Sequence, residues 1–527
     1  SDAALSEDVR DIEILFTSDA HSGIDSGWKY SGVDVIRSQL IAKGNHVILV
    51  DNGDAVQGEP LAALTAGGAI IQLMNTLGYD VATIGNHEFD YGMERFMELV
   101  EMADFPYISC NFNKSGELVF EPYIIKEIGG TRIAFVGITT PWTLRSSTPA
   151  YFMDKDGNFI YGFMQSSDGK DLYAAVQKAV DEARSEGADY VVAMAHLGNL
   201  ADLKPYTASD VIENTTGIDV FLDGHSHDLE QVIIKNKAGK EVFRSACGTK
   251  LEAIGYVRIT KEGKISTGLY RWANHENAVE VLGLESIMNE AIEKAKQELS
   301  ASLAEVVGTS KVDLLTEDPA TGMRIVRSAE TAIGNFCADA YRYVSGADLA
   351  FVNGGGIRDS LRKGEITRED ILKIHPFGNM FSVCEATGQE ILDALEFSVR
   401  AWPKEFGGWL CPSGISYEVH TYIDSSVETD EAGLFVGVGG EYRVKNVYIG
   451  DEPLDLNKTY TVASHNYMLQ NMGDGYTMFA DNVFMPNTAI SDIQVLIKYI
   501  TEGLGGVIGT EYAEPQGRIT FVTERAD

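Results

Sequence analysis

The apolar runs in the first half of the chain strongly constrain its fold, because most of them end in polar side chains. Continuous apolar runs of five to seven residues are typical of strands covered on both faces of a sheet. Helix-like stretches such as residues 171–187 lie between them. The alternation predicts an α/β fold. The runs are IEILFTS (12–18), HVILVD (46–51), DVATIG (80–85), RIAFVGI (132–138), DYVVAMA (189–195) and IDVFLD (218–223).

Carboxylate, imidazole and amide groups follow five of these runs. Ligands of open α/β sheets bind at the carboxyl ends of the strands, where neighbouring loops converge on one crevice. Each short motif alone is compatible with a turn or a helix cap, but their repetition behind strands favours a common site. We therefore expect seven side chains to converge: Asp19, His21, Asp54, Asn86, His196, His225 and His227.

The chemistry of these seven donors indicates a metal site. Mixed imidazole, carboxylate and amide oxygen donors suit zinc, manganese or iron, and they fit poorly with the all-oxygen shell of calcium. Seven ligands exceed what one tetrahedral ion needs. If one carboxylate bridges, they fit two ions with positions left open for water and substrate.

Composition limits the possible partners and architecture. The chain has 527 residues, of which 44% are hydrophobic, so it is large enough for two domains. Its net charge of −36 disfavours binding to nucleic acid. No apolar run reaches the roughly 18 residues of a membrane span. The five cysteines form no CxxC pair, which disfavours a disulfide framework or a cysteine zinc site.

The second half has a different pattern and predicts a second domain. Residues 284–308 show helical spacing of apolar side chains and predict a helix that joins the domains. A further helix is expected over 388–401. The expected domains are 1–283 and 309–527, joined by 284–308, and the second contains strand candidates at 348–353, 380–387 and 458–467.

Taken together, the motifs resemble a known family. The series DAH, GD, GNHE, H and GHSH resembles the calcineurin-like metallophosphoesterases, and GNHEFDYG is the form found in the 5'-nucleotidase and UDP-sugar hydrolase branch. NGGGIR (353–358), HPFGN (375–379) and GDGYTMF (473–479) resemble the substrate-binding domain of that branch. The resemblance implies an N-terminal four-layer α/β/β/α metallophosphoesterase domain and a C-terminal α/β 5'-nucleotidase substrate-binding domain, joined by a helix.

The resemblance also implies roles for the donors. Two divalent ions, zinc or manganese, are expected. His87 would act on the phosphate in the transition state, and Asp90 would orient His87. One ion would be held by Asp19, His21, Asp54 and His227, and the other by Asp54, Asn86, His196 and His225.

In the second domain the resemblance implies a nucleotide site. Arginines would bind phosphate and two aromatic rings would stack on the base, although core packing is the rival explanation for Phe377 and an exposed charge the rival for Arg362. One departure concerns the GGDG motif, since Met472 replaces its first glycine and Tyr467 lies seven residues before Asp474 instead of six. The expected residues are Arg327, Asn353, Gly355, Gly356, Arg358, Arg362, Phe377, Asn379, Tyr467 and Asp474.

The resemblance implies a phosphohydrolase that releases phosphate from nucleoside 5'-monophosphates by attack of a metal-bound hydroxide, with UDP-sugars and nucleoside di- or triphosphates as further candidate substrates. The alternatives are a 2',3'-cyclic-nucleotide 2'-phosphodiesterase with 3'-nucleotidase activity, a sulfur-compound hydrolase, and a non-catalytic nucleotide-binding or adhesive surface protein. HPFGN favours the 5' branch. The resemblance implies an extracellular, periplasmic or cell-surface location, with a leader taken as removed.

Overall fold

The computed structural model describes residues 10–274, 286–486 and 489–527 and divides the chain into two compact units. The first unit contains the chain up to Ser147 together with Asn158–Glu298, and the second contains Thr148–Gly157 and Leu299–Asp527. The main boundary therefore falls inside the helix Ile287–Leu303. No pattern in the sequence indicated that Thr148–Gly157 would belong with the second unit.

The described part of the first unit contains two six-stranded sheets whose central strands are parallel. Edge strands such as Leu229–Lys235 and Tyr123–Ile128 pair antiparallel. In spatial order, the first sheet contains Ile265–Arg271, Ala253–Ile259, Ile12–Thr17, His46–Asp51, Val81–Thr83 and Tyr107–Ile108. The second sheet contains Leu229–Lys235, Glu241–Cys247, Val220–Asp223, Tyr190–His196, Thr131–Thr139 and Tyr123–Ile128.

Alternate residues of the two sheets pack against each other and form the central core. Ile14 and Phe16 of the first sheet and Val192 and Met194 of the second belong to one buried cluster. On the other face of the second sheet, the intervening residues pack on helices, because neighbouring side chains of a strand point to opposite faces. The α-helices among the described residues of this unit are Lys29–Ala42, Pro60–Thr65, Gly68–Leu77, Met93–Met102, Thr143–Ser146, Lys170–Ser185, Ala208–Glu213 and the first part of Ile287–Leu303. The predicted four-layer α/β/β/α domain is confirmed.

The carboxyl ends of the parallel strands meet at one edge of this unit. The backbone N–H of Asp19 donates to the carbonyl of Gly53 at 2.9 Å, which joins the loops after the first two strands. Thr83 Oγ1 donates to the carbonyl of Met194 at 2.8 Å and links the two sheets. Loops from both sheets therefore share one crevice.

The second unit is an α/β domain with smaller sheets. Its helix Ala332–Ser345 begins after Thr331, whose Oγ1 accepts the N–H of Gly334, and ends before Gly346, which has a left-handed φ of 66°. The other helices are Arg368–Ile374, Gly388–Val399, Asn466–Leu469 and Asp492–Lys498. A four-stranded sheet contains Phe381–Thr387, Thr459–His465, Leu349–Asn353 and Leu410–Ser413; a second contains Glu452–Pro453, Val444–Ile449, Ile415–His420 and Ile519–Val522; and a three-stranded sheet contains Gly364–Thr367, Val306–Ser310 and Val507–Ile508.

Several predicted elements end earlier than the sequence pattern indicated, and for two of them the structure shows the reason. The helix expected over 284–308 covers Ile287–Leu303, and the chain then forms the strand Val306–Ser310, because its β-branched valines pair with Gly364–Thr367. The strand expected to continue to 467 stops at His465. Asn466 ends it, since its Oδ1 accepts the backbone N–H groups of Met380 and Tyr467 and starts a short helix.

Within the described residues, no helix combines the length and the apolar character needed to span a bilayer. All five cysteines are buried and unpaired.

Candidate metal centre and substrate pocket

The donor atoms expected to bind metal lie together at the carboxyl edge of the first unit. They form two groups, and within each group the potential ligand atoms all lie within 4.8 Å of one another. The groups are Asp19, His21 and His227, and Asp54, His196 and His225. The seventh donor, Asn86, lies beside the second group, with its Oδ1 3.0 Å from Nδ1 of His225.

Asp54 belongs to the second group but also lies close to the first. Its Oδ2 is 2.9 Å from Nε2 of His196 in the second group and 3.9 Å from Nε2 of His21 in the first. Asp19 Oδ1 is likewise within 3.8 Å of His21, His196 and His227. One carboxylate can therefore serve both groups, as a bridging ligand of two ions requires.

The backbone at these positions is unusual. Five of the seven donors have left-handed φ angles although none is glycine. Such angles are unfavourable for residues with a Cβ, and they cluster at functional sites where the surrounding structure enforces them. The five are Asp19 (51°), His21 (44°), Asp54 (57°), His225 (83°) and His227 (59°).

The contacts of His196 indicate that a cation belongs at this site. Its Nδ1 must donate a hydrogen bond to the carbonyl of Asn52 at 2.7 Å, so a neutral ring presents a lone pair at Nε2. That lone pair faces the Asp54 carboxylate at 2.9 Å. Two acceptors in contact repel unless a proton or a metal ion satisfies both. Burial opposes charge on the ring, but Asp54 and Asp19 outweigh it and raise the pKa of His196 well above its usual value.

His21 shows a similar arrangement. Nδ1 of His21 lies 3.0 Å from Gln57 Oε1, which leaves Nε2 facing Nε2 of His227 at 3.1 Å. Burial, together with His196, lowers the pKa of His225 to about 4, which keeps this ring neutral and able to donate a lone pair. These facing acceptors fit two divalent ions.

Glu88 holds the loop that carries Asp54. Its carboxylate accepts the backbone N–H groups of Asp54 (2.9 Å), Ala55 (3.0 Å) and Gly85 (2.6 Å). Neither Glu88 nor Gln57 was assigned a role from the sequence. Glu88 lies within the GNHE motif, which is a signal that could have identified it, whereas Gln57 has no such signal.

His87 and Asp90 form a hydrogen-bonded pair beside the donors. Nδ1 of His87 is 2.7 Å from Asp90 Oδ2, and its backbone N–H donates to Asp54 Oδ1 at 2.9 Å. Burial disfavours the charged ring, but Asp90 and Asp54 outweigh it and raise the pKa of His87 to about 10. The free Nε2 of a protonated ring is therefore a hydrogen-bond donor.

The second unit contains a pocket of about 330 Å³, which is within the range of small-molecule sites. Nine of the ten residues expected from the sequence line it. Arg362 does not, because its guanidinium is exposed and bound to Glu317 at 3.2 Å. Gly407 also lines the pocket and was not expected; its carbonyl accepts the N–H of Gly355 at 2.8 Å. The lining residues are Arg327, Asn353, Gly355, Gly356, Arg358, Phe377, Asn379, Gly407, Tyr467 and Asp474.

One side of this pocket is positively charged. Burial and the nearby guanidinium groups of Arg324 and Arg358 lower the pKa of Arg327. Arg324 is neutralised by a bidentate pair with Glu405, at 2.9 and 2.8 Å. The guanidinium of Arg358 lies 5.7 Å from the ring centroid of Phe377. Arg327 and Arg358 line the same pocket, and guanidinium groups are suited to bind an anion such as phosphate.

A chain of hydrogen bonds orients the polar side of the pocket. Asp474 can only accept, so Asn353 must present Nδ2 to its Oδ2 at 2.8 Å. Asn353 Oδ1 then accepts from Nε2 of His465, also at 2.8 Å. Tyr467 donates to the other Asp474 oxygen at 3.1 Å. His465 is buried and carried no motif that would have identified it.

The departure at Met472 has a structural consequence. Met472 has a left-handed φ of 54°, and Asp474 has one of 58°. Glycine adopts this region without steric cost, which accounts for a glycine in the motif that this sequence resembles. Met472 keeps the turn but under strain.

Comparisons with known proteins agree with both domains expected from the sequence. Residues 12–229 match the model of the calcineurin-like phosphoesterases, and residues 306–481 match the 5'-nucleotidase C-terminal domain. A 5'-nucleotidase of Vibrio parahaemolyticus is 28% identical, covering 93% of this chain and 87% of the relative. Protein UshA of Escherichia coli is 27% identical, covering 93% and 88%.

A solved structure is also similar to this chain. The crystal structure of a 5'-nucleotidase precursor from Thermus thermophilus is similar with a TM-score of 0.52 and 26% identity, covering 98% of this chain and all of the other. The two matched domains occur in the order that the sequence motifs predict. The first domain of the chain therefore belongs to the calcineurin-like phosphoesterases, and its second is a 5'-nucleotidase C-terminal domain.

Proposed function

We propose that this 5'-nucleotidase-type hydrolase uses two divalent ions to release phosphate from nucleoside 5'-monophosphates. The observation that carries the proposal is the pair of Asp–His groups in one crevice with Asp54 between them. Their facing acceptor atoms favour cations, and the second unit offers a pocket with arginines and aromatic rings.

We assign Asp19, His21, Asp54 and His227 to one ion, and Asp54, Asn86, His196 and His225 to the other. Zinc or manganese suits this mixture of nitrogen and oxygen donors. Such ions, when bound, supply Lewis-acid polarisation of the phosphate and a more acidic water. Gln57 and the carbonyl of Asn52 fix the orientation of the two buried histidine rings that face Asp54.

We assign proton chemistry to His87. Asp90 accepts from Nδ1 and stabilises the protonated ring, so Nε2–H is available to a phosphoryl oxygen or to the leaving group. The backbone N–H of His87 donates to Asp54, which fixes the position of the histidine relative to the donors.

We assign the second-unit pocket to the nucleotide. Phe377 and Tyr467 offer exposed ring faces for a base, Arg327 and Arg358 offer donors for phosphate, and Asp474 offers an acceptor for a ribose hydroxyl. Because donors and pocket belong to different units, both units are needed for turnover. UDP-sugars and nucleoside di- or triphosphates are further candidate substrates, and an extracellular or periplasmic role in nucleotide catabolism fits the family.

A phosphate-release panel tests the proposal. AMP, GMP, ADP, UDP-glucose, 2',3'-cyclic AMP and 3'-AMP are each supplied with and without chelator, zinc or manganese. We expect chelator-sensitive release from AMP or GMP. Preference for 2',3'-cyclic AMP and 3'-AMP would favour the cyclic phosphodiesterase, and activity that is indifferent to chelation in metal-free buffer would overturn the metal mechanism.

A further inference from the structure

The loop that carries two of the proposed ligands is strained and needs support. Residues 224–227 form a loop that, together with Asp228, connects the strands Val220–Asp223 and Leu229–Lys235. His225 and His227 both have left-handed φ angles, 83° and 59°. Both side chains must nevertheless point at the same crevice, and a loop without outside contacts would relax to other backbone conformations.

Arg244 forms hydrogen bonds at both ends of this loop. It lies on the strand Glu241–Cys247, and its side chain is fully buried. Its Nη2 and Nε donate to Asp223 Oδ2 at 2.8 and 3.2 Å. Its Nη1 donates to Asp228 Oδ2 at 2.5 Å, and its Nη2 reaches Asp228 Oδ1 at 3.3 Å. Asp223 immediately precedes the loop and Asp228 immediately follows it, so one guanidinium fixes the distance between the loop's ends.

The same network reaches a third ligand. Asp223 Oδ1 accepts the backbone N–H groups of Leu197 and Gly198 at 3.0 and 3.1 Å. These residues directly follow His196. Within the loop itself, Ser226 Oγ donates to Asp228 Oδ1 at 2.5 Å. Three proposed metal ligands are therefore tied to one buried arginine through two carboxylates.

Stability alone is a poor explanation for this arginine. A buried ion pair is weak evidence for stability, because apolar residues of similar volume often serve as well or better. The planar fork of arginine offers what an apolar residue cannot, namely simultaneous directed bonds to two carboxylates. Glu230 Oε2 also lies 3.5 Å from Nη1, so three acidic groups compete for this one cation.

We propose that Arg244 is a positioning residue that holds His225 and His227 in their metal-binding geometry before ions bind. The inference rests on the proposed dimetal function of the first unit. It assigns Arg244 no contact with substrate or with ions. Its effect is on the affinity for metal, through the pre-organisation of the loop.

The test measures metal binding directly. Metal is removed from wild type and from three variants, Arg244→Met, Arg244→Lys and Asp228→Asn. The zinc and manganese affinities of the four proteins are then measured by competition with a chromogenic chelator. Arg258→Met is the matched control, because Arg258 also pairs with a buried acid of the first unit, Glu13, but that pair joins two strands and no ligand loop. Apo-protein melting temperatures are recorded for every variant.

We expect Arg244→Met to weaken metal affinity about 10- to 100-fold, as loss of a group that orients a metal ligand does. Arg244→Lys should lie between it and wild type, because it keeps the charge but loses the fork. The control should lower the melting temperature while its metal affinity stays within about twofold of wild type. Excess metal should restore turnover of Arg244→Met with an unchanged KM for AMP.

A purely structural role predicts something different. Unchanged metal affinity in folded Arg244→Met would overturn the inference while leaving the proposed function intact. If Arg244→Met does not fold, unchanged affinity in both Arg244→Lys and Asp228→Asn would overturn it equally. A wild-type protein that binds neither metal would overturn the proposed function, and this inference with it.

Discussion

The candidate metal centre of the first unit and the pocket of the second unit differ in burial and in backbone strain. The donors Asp19, Asp54 and His196 are essentially inaccessible to solvent, and strained backbone aims several of them. In the pocket, Phe377 and Tyr467 expose 53% and 38% of their surface. The first arrangement gives fixed distances, and the second gives open surfaces that a ligand can cover.

This contrast predicts a division of labour between the two units. Fixed donors act on the reacting atoms and should control kcat, whereas exposed ring faces contribute binding energy away from the reaction and should control KM.

The largest effect is expected at Asp54. Asp54→Ala removes the carboxylate that lies between the two groups of donors and should reduce kcat by about a thousandfold or more, as removal of transition-state charge stabilisation does. Asn86→Ala, which removes one amide donor, should also cripple turnover. Steady-state kinetics and metal analysis measure both effects. Retention of two ions and of turnover in Asp54→Ala would contradict the assignment of a bridging ligand.

His87→Ala should follow, with a kcat lowered by about 10²- to 10⁴-fold and little change in KM. The loss arises because no group then donates a proton to phosphate or leaving group. Asp90→Asn should show a smaller loss in the same parameter, since it weakens the support of Nδ1 without removing Nε2. A main effect on KM in either variant would place His87 in binding and not in the chemical step.

Phe377→Ala should mainly raise KM. Stacking of a base on an aromatic ring contributes about 1–3 kcal/mol, so KM should rise about 5- to 150-fold with kcat within a few-fold of wild type. Arg362→Ala is the matched control and should change KM less than twofold, because Arg362 is exposed and paired with Glu317 outside the pocket. Equal effects from both substitutions would contradict the pocket assignment.

The sequence was sufficient for the parts of the site whose chemistry is rarely used elsewhere. Histidine and aspartate recur behind several buried strands, so their convergence at one edge could be predicted. The alternation of runs predicted an α/β fold, and the family resemblance added the four-layer arrangement. Arg244 and His465 could not. His465 acts through Asn353, which is 112 positions away, and neither Arg244 nor His465 lies in a recognisable motif.

Two element boundaries were missed for a local reason. Helical spacing continued past Leu303, but pairing of Val306–Ser310 with another strand overrode that pattern. The strand ending at His465 was cut short by side-chain hydrogen bonds of Asn466, which hydrophobic periodicity does not reveal.

A moderate effect on stability is expected from pH in the second unit. Burial, with a smaller contribution from His375, lowers the pKa of His465 to about 3, and burial lowers that of His375 to about 4. Unfolded histidine titrates near 6.5, so the unfolded chain takes up these protons first. The stability contributed by the neutral rings is present above pH 6.5 and is lost as the pH falls towards 4.

His465→Gln keeps a donor towards Asn353 but removes one titrating group. Each of these histidines lowers the free energy of unfolding by about 1.4 kcal/mol for every pH unit in this window. The melting temperature of the variant should therefore fall less steeply than that of wild type between pH 6.5 and 4.5. Thermal melts across this range measure the difference. Parallel curves would show that His465 does not remain neutral in the folded protein.

The smallest effect is expected at Met472. Met472→Gly relieves a left-handed backbone that costs about 1–2 kcal/mol, but it adds freedom to the unfolded chain, so a net gain of about 0.5–1 kcal/mol is expected. Asn471→Gly, at a neighbouring position without a positive φ, should instead destabilise. If the melting temperature rises for Met472→Gly but not for Asn471→Gly, the left-handed φ at position 472 is strained and the turn does not depend on the methionine side chain. An unchanged or lower melting temperature for Met472→Gly would contradict this.

The buried thiols bear on how the enzyme can be used in experiments. Burial raises the pKa of Cys110 and of Cys411 to about 12, and the other three thiols are equally enclosed. Native protein should therefore resist alkylating reagents and tolerate oxidising surroundings without forming disulfides. A cysteine introduced on the surface would then react with a fluorophore while the five native thiols do not.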